Sequence, residues 1–192
     1  MFARAISRLS AGIAALERAA LMLLIGAIAV FVLTNVIFRA LGTTIAWADE
    51  IAVYAMILSA FIGASLMLRA RVDPAVLLIH EFASPAMLRL LRTAVSVVCV
   101  LFGAILLYTT WLWFNPLGLM RAGFDVGTFE GSTFNFIYTD VTPIMGLPAF
   151  WFYLIMPWFA VTITLHAFAN LLEDLGAVAR PENPAKIEAT EI

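Results

Sequence analysis

Charge is what this 192-residue chain has least of. Asp, Glu, Lys and Arg make up 12% of it, about half the share found in a typical soluble domain. Apolar residues make up 64%, so too few polar side chains remain to cover a water-facing surface, and a bilayer must supply the missing solvent. Cysteine is reduced to Cys99, inside an apolar run. That excludes an intramolecular disulfide and any thiolate metal site built from this chain alone, and the residue reads as a small packed side chain. Histidine occurs twice. A haem between helices needs two axial ligands at matched depth, but His80 lies in a connection and only His166 lies within a span; His166, near the end of the last helix, reads instead as hydrogen-bonded to a neighbouring helix or as lying at the interface. The basic residues are scattered and the net charge is −2, which gives no footprint for nucleic acid. No internal repeat is present, so the inverted-repeat mark of a self-contained secondary transporter is missing.

What the sequence has instead is long apolar runs. A membrane helix needs about 20 mainly apolar residues to cross a hydrocarbon core of roughly 30 Å, and four segments qualify: 19–41, 47–68, 91–114 and 146–172. They are continuous and too long for the alternating strands of about ten residues in a membrane barrel. The expected fold class is therefore an all-α integral membrane protein with four transmembrane helices, in a single domain over residues 1–175, followed by a disordered tail at 176–192. Arg4 and Arg8 ahead of an apolar run invite comparison with a signal peptide, but the uncharged stretch 19–38 is twenty residues, longer than the roughly 7 to 15 of a signal-peptide core. It reads as a retained helix.

Basic residues set the orientation. Arg4, Arg8, Arg18, Arg69, Arg71, Arg89, Arg92, Arg180 and Lys186 fall on one side, and only Arg39 and Arg121 on the other; this predicts cytoplasmic termini and a cytoplasmic middle connection. That connection, RVDPAVLLIHEFASPAMLRLLR (71–92), interleaves apolar residues with His80, Glu81 and Arg89 and reads as an interfacial helix between the second and third spans, with a break at Pro85. The connection 115–143, rich in Gly, Phe, Asn and Thr, faces the periplasm in this reading. It is either an ordered contact surface or an interfacial aromatic belt.

The segment NVIFRALGTTIAWADEI (35–51) holds charges between two apolar runs. Asp49 and Glu50 point about 100° apart on a helix and have no nucleophile or metal cluster beside them, so a paired-carboxylate catalytic site is not supported. They suit the first turn of a helix, where acids are stabilised by the dipole and the unpaired amides. Ionisable groups at membrane depth are expected to pair, and antiparallel packing of the first two helices brings Arg39 to Asp49 or Glu50, leaving the other acid for a partner. Asn35, one turn before Arg39, shares its face. Ser59, Gly63 and Ser65 offer a close-approach surface, and Pro157 is placed to kink the last span, with Pro148 kinking or beginning it.

These residues resemble a known family. Asn35, Val36 and Arg39 in NVIFR, Trp47 and Glu50 in WADE, Gly63, Ala64 and Ser65 ahead of Arg69 and Arg71, and the run TPIMGLPAFWFYLIMP (142–157) are similar to the small, Q-type or DctQ-like permease subunit of tripartite ATP-independent periplasmic (TRAP) transporters. The resemblance covers about residues 19–174. Val72 and Asp73 stand where family members often carry a histidine, so a role specific to that histidine is not carried over.

The resemblance implies a bacterial inner-membrane complex that imports an organic anion, a carboxylate or sulfonate, on a sodium gradient. A soluble periplasmic protein captures the solute and a larger multi-span permease moves it, with the small subunit as fixed scaffold. No catalysis, cofactor or metal is expected in this chain, and sodium belongs to the larger subunit. Asn35, Arg39, Trp47, Asp49, Glu50 and Gly63 are the candidates for the hairpin lock and large-subunit contact. Arg69, Arg71, Arg89 and Arg92 are candidates for the cytoplasmic lipid surface, and Arg121, Asp125, Glu130 and Asp140 for docking the binding protein. The competing readings are an anchoring or assembly subunit of another inner-membrane complex and, behind it, a membrane-bound enzyme.

Overall fold

The computed structural model of the protein describes residues 1–71 and 84–179. Most of the expected interfacial helix, including His80, and the tail from residue 180 lie outside the described residues. Among the described residues seven helices run in order: α1 Phe2–Ala40, α2 Ala46–Ala70, α3 Pro85–Phe114, α4 Pro116–Arg121, α5 Val126–Thr133, α6 Phe150–Tyr153 and α7 Ile155–Asp174. Four segments of the described residues are long and apolar enough to cross a membrane: α1, α2, the stretch 86–121 and the α6–α7 stretch.

The first helix begins seventeen residues before the expected span. Ala, Arg and Leu dominate residues 2–18 and no proline interrupts them, so helix propensity carries the chain on past the point where hydropathy falls. At 1.5 Å per residue the 39-residue helix is about 58 Å long. It stops at a turn in which Gly42 takes φ 82 while the amides of Gly42 and Thr43 return to Arg39 and Phe38. A glycine in this left-handed position is a common helix stop. The third helix starts six residues before the expected 91, at Pro85, with Ser84 Oγ accepting from the Met87 amide. At the last span, α6 and α7 meet at Leu154. Pro157 accounts for this break, since it has no amide to donate and its ring crowds the carbonyl four residues back.

The helices form two antiparallel pairs, α1 with α2 and α3 with α7, joined where α7 also meets α2 and α1. Within its apolar window the α6–α7 stretch is 39% buried, against 6% for α1, so the last span is the axis of the bundle. Its contact with α3 is close: a Cβ on Gly103 would lie 2.9 Å from the Thr164 Cα. Aromatic pairs tie α2 to the last span, with Tyr54 stacked on Phe152 at 3.8 Å and Phe61 edge-on to Phe159 at 5.1 Å. The outward faces carry Leu23, Val30, Leu33, Met56, Val98 and Ile105, all well exposed. Both described chain ends lie at one end of the bundle, the terminal end. The α1–α2 link and residues 115–149 form the other, the loop end.

Candidate functional site

Polar chemistry concentrates at the two ends. At the loop end, Asn35 is buried in α1; its Nδ2 donates to Asp49 Oδ1, and its Oδ1 accepts the Ile45 amide at 3.2 Å. Arg39 donates to Asp49 Oδ2 at 3.0 Å. The hairpin is therefore closed by one acid that receives both α1 side chains. The ion pair is open to its surroundings, its side chains 61% and 45% exposed. Trp47, half exposed, stands edge-on to Phe31 at 6.2 Å.

Glu50 corrects the expectation that the second acid is left for a partner. It is buried, and its carboxylate accepts the Ile144 amide at 3.0 Å and the Met145 amide at 2.7 Å. Those amides belong to a tight turn in which the Thr142 amide donates to the Leu147 carbonyl, Thr142 Oγ1 accepts the Leu147 amide, and Val141 bridges Pro148. Glu50 thus fastens the loop ahead of the last span to the start of α2. A methyl group added at Gly63 would meet nothing within 4 Å, so no other described helix of this chain uses that approach.

The 115–143 connection is folded rather than open. Phe114, Phe129 and Ile137 form its core, Tyr138 donates to the Phe114 carbonyl at 2.7 Å, and Asn135 Nδ2 to the Trp113 carbonyl at 2.6 Å. Of the docking candidates, Arg121 is exposed at the end of α4 and Glu130 is half-buried on α5. Asp125 caps α5, accepting the Gly127 and Thr128 amides at 2.9 and 3.0 Å. These amide bonds, Thr128 foremost, hold its carboxyl below the usual carboxylate range. Asp140 lies apart from them, accepting the Tyr153 hydroxyl at 3.2 Å beside an open groove. Burial pushes the Tyr138 hydroxyl upward from its ordinary value.

The terminal end holds a charge cluster that the sequence alone did not predict. Along α7, Thr162, His166, Asn170 and Glu173 share one buried face. His166 is in hydrogen-bond contact with Ser10 at 2.7 Å and Glu17 at 3.1 Å, both on α1. Glu173 accepts from Ser7 at 3.0 Å and from both terminal nitrogens of Arg69, at 2.8 and 3.1 Å. Arg71 reaches Asp174, which also accepts from Ser96 of α3, and Ser65 of α2 donates to Thr162. All four long helices join this network. Arg69 and Arg71 therefore differ from their expected lipid-surface placement: their side chains are 10% and 15% exposed and face carboxylates. Buried charge without a partner is costly in a membrane, and an inward carboxylate supplies that partner better than a headgroup does. Arg89 is exposed and Arg92 half-buried. The signal for this cluster was present as polar residues spaced 4, 4 and 3 along an apolar helix, matched by Ser7, Ser10 and Glu17 on α1.

Among the described residues no group of three or more metal-ligating side chains comes together. A family model described as "Tripartite ATP-independent periplasmic transporters, DctQ component" matches residues 28–177. No curated protein and no solved structure matches the chain.

Proposed function

Because the chain belongs to the DctQ component family of tripartite ATP-independent periplasmic transporters, a family of multi-pass transporter subunits, we propose that it is the small scaffold subunit of a sodium-coupled importer of an organic anion, a carboxylate or sulfonate. The solute and sodium sites are assigned to a larger multi-span permease, and solute capture to a periplasmic binding protein. In this reading the terminal end is cytoplasmic, in keeping with the nine-to-two division of basic residues, and the loop end is periplasmic in the inner membrane.

The observation that carries the scaffold role is the contrast between the two charged centres. The terminal cluster is buried and ion-paired within the chain, with Glu17 Oε1 and Arg71 Nε its atoms left without a partner among the described residues, as suits a rigid support, whereas Arg39, Asp49 and Trp47 stand open at the edge of an apolar surface. An ion pair that is closed within the chain yet exposed beside an aromatic ring suits a lateral contact with another membrane subunit. The α2 surface at Gly63 continues that contact. Arg121, Asp125 and Glu130 form the docking face for the binding protein, on a loop made firm by its own core and by Glu50. Arg89 lies at the cytoplasmic lipid surface with Arg92.

The test is a mild-detergent pull-down of the chain from its native membranes with mass spectrometry of what co-purifies. A much larger permease in near-equal amount is expected. Recovery of a different complex overturns the proposal.

A further inference from the structure

We propose that the groove at the loop end binds the ammonium group of a zwitterionic phospholipid. The groove encloses about 350 Å³ between the last turn of α3, the 134–140 segment and Tyr153, and its walls include Trp113, Phe134, Asn135, Phe136, Asp140 and Tyr153. Its chemistry is that of a cation cage, four aromatic rings around one carboxylate.

Asp140 is exposed, and no Arg or His of the described residues lies within ion-pair distance of it. Its one side-chain partner among the described residues is the neutral Tyr153 hydroxyl. Trp113 and Tyr153 incline their rings at 53° with centroids 5.5 Å apart. The negative face of such rings attracts an ammonium, Trp most strongly, and the effect grows where water is excluded. Phe134 is held at φ 54 and is 82% exposed. That left-handed backbone is the C-cap of α5, its amide donating to the Glu130 carbonyl at 2.8 Å, and the cap leaves the ring open beside the groove. The frame is set in advance of any ligand: Asn135 donates to the Trp113 carbonyl at 2.6 Å and accepts the Ile137 amide at 3.1 Å, so little ordering remains to be done on binding.

Position selects the occupant. Trp113 lies in the last turn of α3 and Tyr153 in the first turn of the last span-length stretch, which sets the groove at the membrane–water boundary where headgroups stand. Leu106 and Phe102, two and three turns back along the same face of α3, are partly open and open. An acyl chain lies against them while its headgroup reaches the groove. An anionic headgroup is disfavoured by Asp140.

The experiment is native mass spectrometry of the full chain in detergent with dioleoyl phosphatidylethanolamine, phosphatidylcholine or phosphatidylglycerol added, on wild type, Asp140→Asn and Trp113→Ala. Asp140→Asn keeps an acceptor for Tyr153, and its thermal midpoint verifies folding. The expected result is retention of the ethanolamine lipid that falls about tenfold in Asp140→Asn, the loss of one charge-assisted hydrogen bond from its N–H, a smaller fall for the choline lipid, which has no N–H and loses charge attraction alone, and a further fall of both in Trp113→Ala. Phosphatidylglycerol retained as well as phosphatidylethanolamine overturns the proposal, as does retention unmoved by Asp140→Asn. Capture of a lysine-bearing periplasmic protein through Asp140, with no lipid held there, also overturns it.

Discussion

Two acids in neighbouring positions have separate duties. Asp49 receives Asn35 and Arg39 and closes the α1–α2 hairpin, while Glu50 turns the other way and receives two loop amides. Charge-assisted hydrogen bonds of this kind contribute about 1.5–3 kcal/mol. Glu50→Ala is therefore expected to destabilise the protein by roughly that amount and to raise amide exchange at Ile144 and Met145. Arg39→Ala, whose pair is exposed, is expected to change stability by less than about 1 kcal/mol and to reduce co-purification of the larger permease; undiminished recovery removes Arg39 from the contact. Asp125 introduces a pH dependence. Its carboxyl is held low in the folded loop, so the folded state binds fewer protons than the unfolded one and the cap's contribution is complete above the ordinary carboxylate range. It is lost as pH falls through the lowered value. Exchange protection of the Gly127 and Thr128 amides should follow that course in wild type and be flat in Asp125→Asn. Both acids at positions 49 and 50 are legible as helix-start residues, but which one faces Arg39 depends on the 142–147 turn, whose amides lie 94 and 95 positions from Glu50, and no local pattern carries that.

At the scale of helices, hydropathy located the spans because lipid imposes about 20 apolar residues on each. It missed the start of α1 because a helix formed from Ala, Arg and Leu has no reason to end where the hydrocarbon does. Arg69 and Arg71 read from the sequence as facing cytoplasmic lipid, whereas they turn inward to carboxylates. The positive-inside rule counts charges in a loop, whereas burial depends on what α7 places opposite. The small residues separate in the same way. Gly103 accommodates Thr164 across the α3–α7 seam and Gly63 faces open space. Gly103→Val is expected to lower stability by about 1–3 kcal/mol through overpacking, whereas Gly63→Val should leave the stability of the isolated chain within about 0.5 kcal/mol of wild type and weaken association with the permease. Equal melting of the two variants would contradict the close α3–α7 approach.

For the molecule as a whole, the terminal cluster is the feature least visible in one dimension. Its partners are separated by 78 to 166 positions, and each polar residue alone resembles scatter in an apolar chain. Removing one member leaves others buried and unpaired, which in known cases costs about 3–5 kcal/mol. Arg69→Leu is expected to abolish stable expression or lower the thermal midpoint sharply, and Arg69→Leu with Glu173→Gln to recover part of the loss. If the double variant is no better than the single, the ion pair is not what holds the helices. The same cluster bears on the length of α1. A membrane helix of about 58 Å in a hydrocarbon layer of roughly 30 Å would ordinarily lean or slide to match its surroundings. This one is tethered at both extremities, through Ser7, Ser10 and Glu17 to α7 and through Asn35 and Arg39 to α2. It cannot lean without carrying the bundle with it. Bilayers of different thickness must then adapt around the protein, by thinning or thickening at its perimeter.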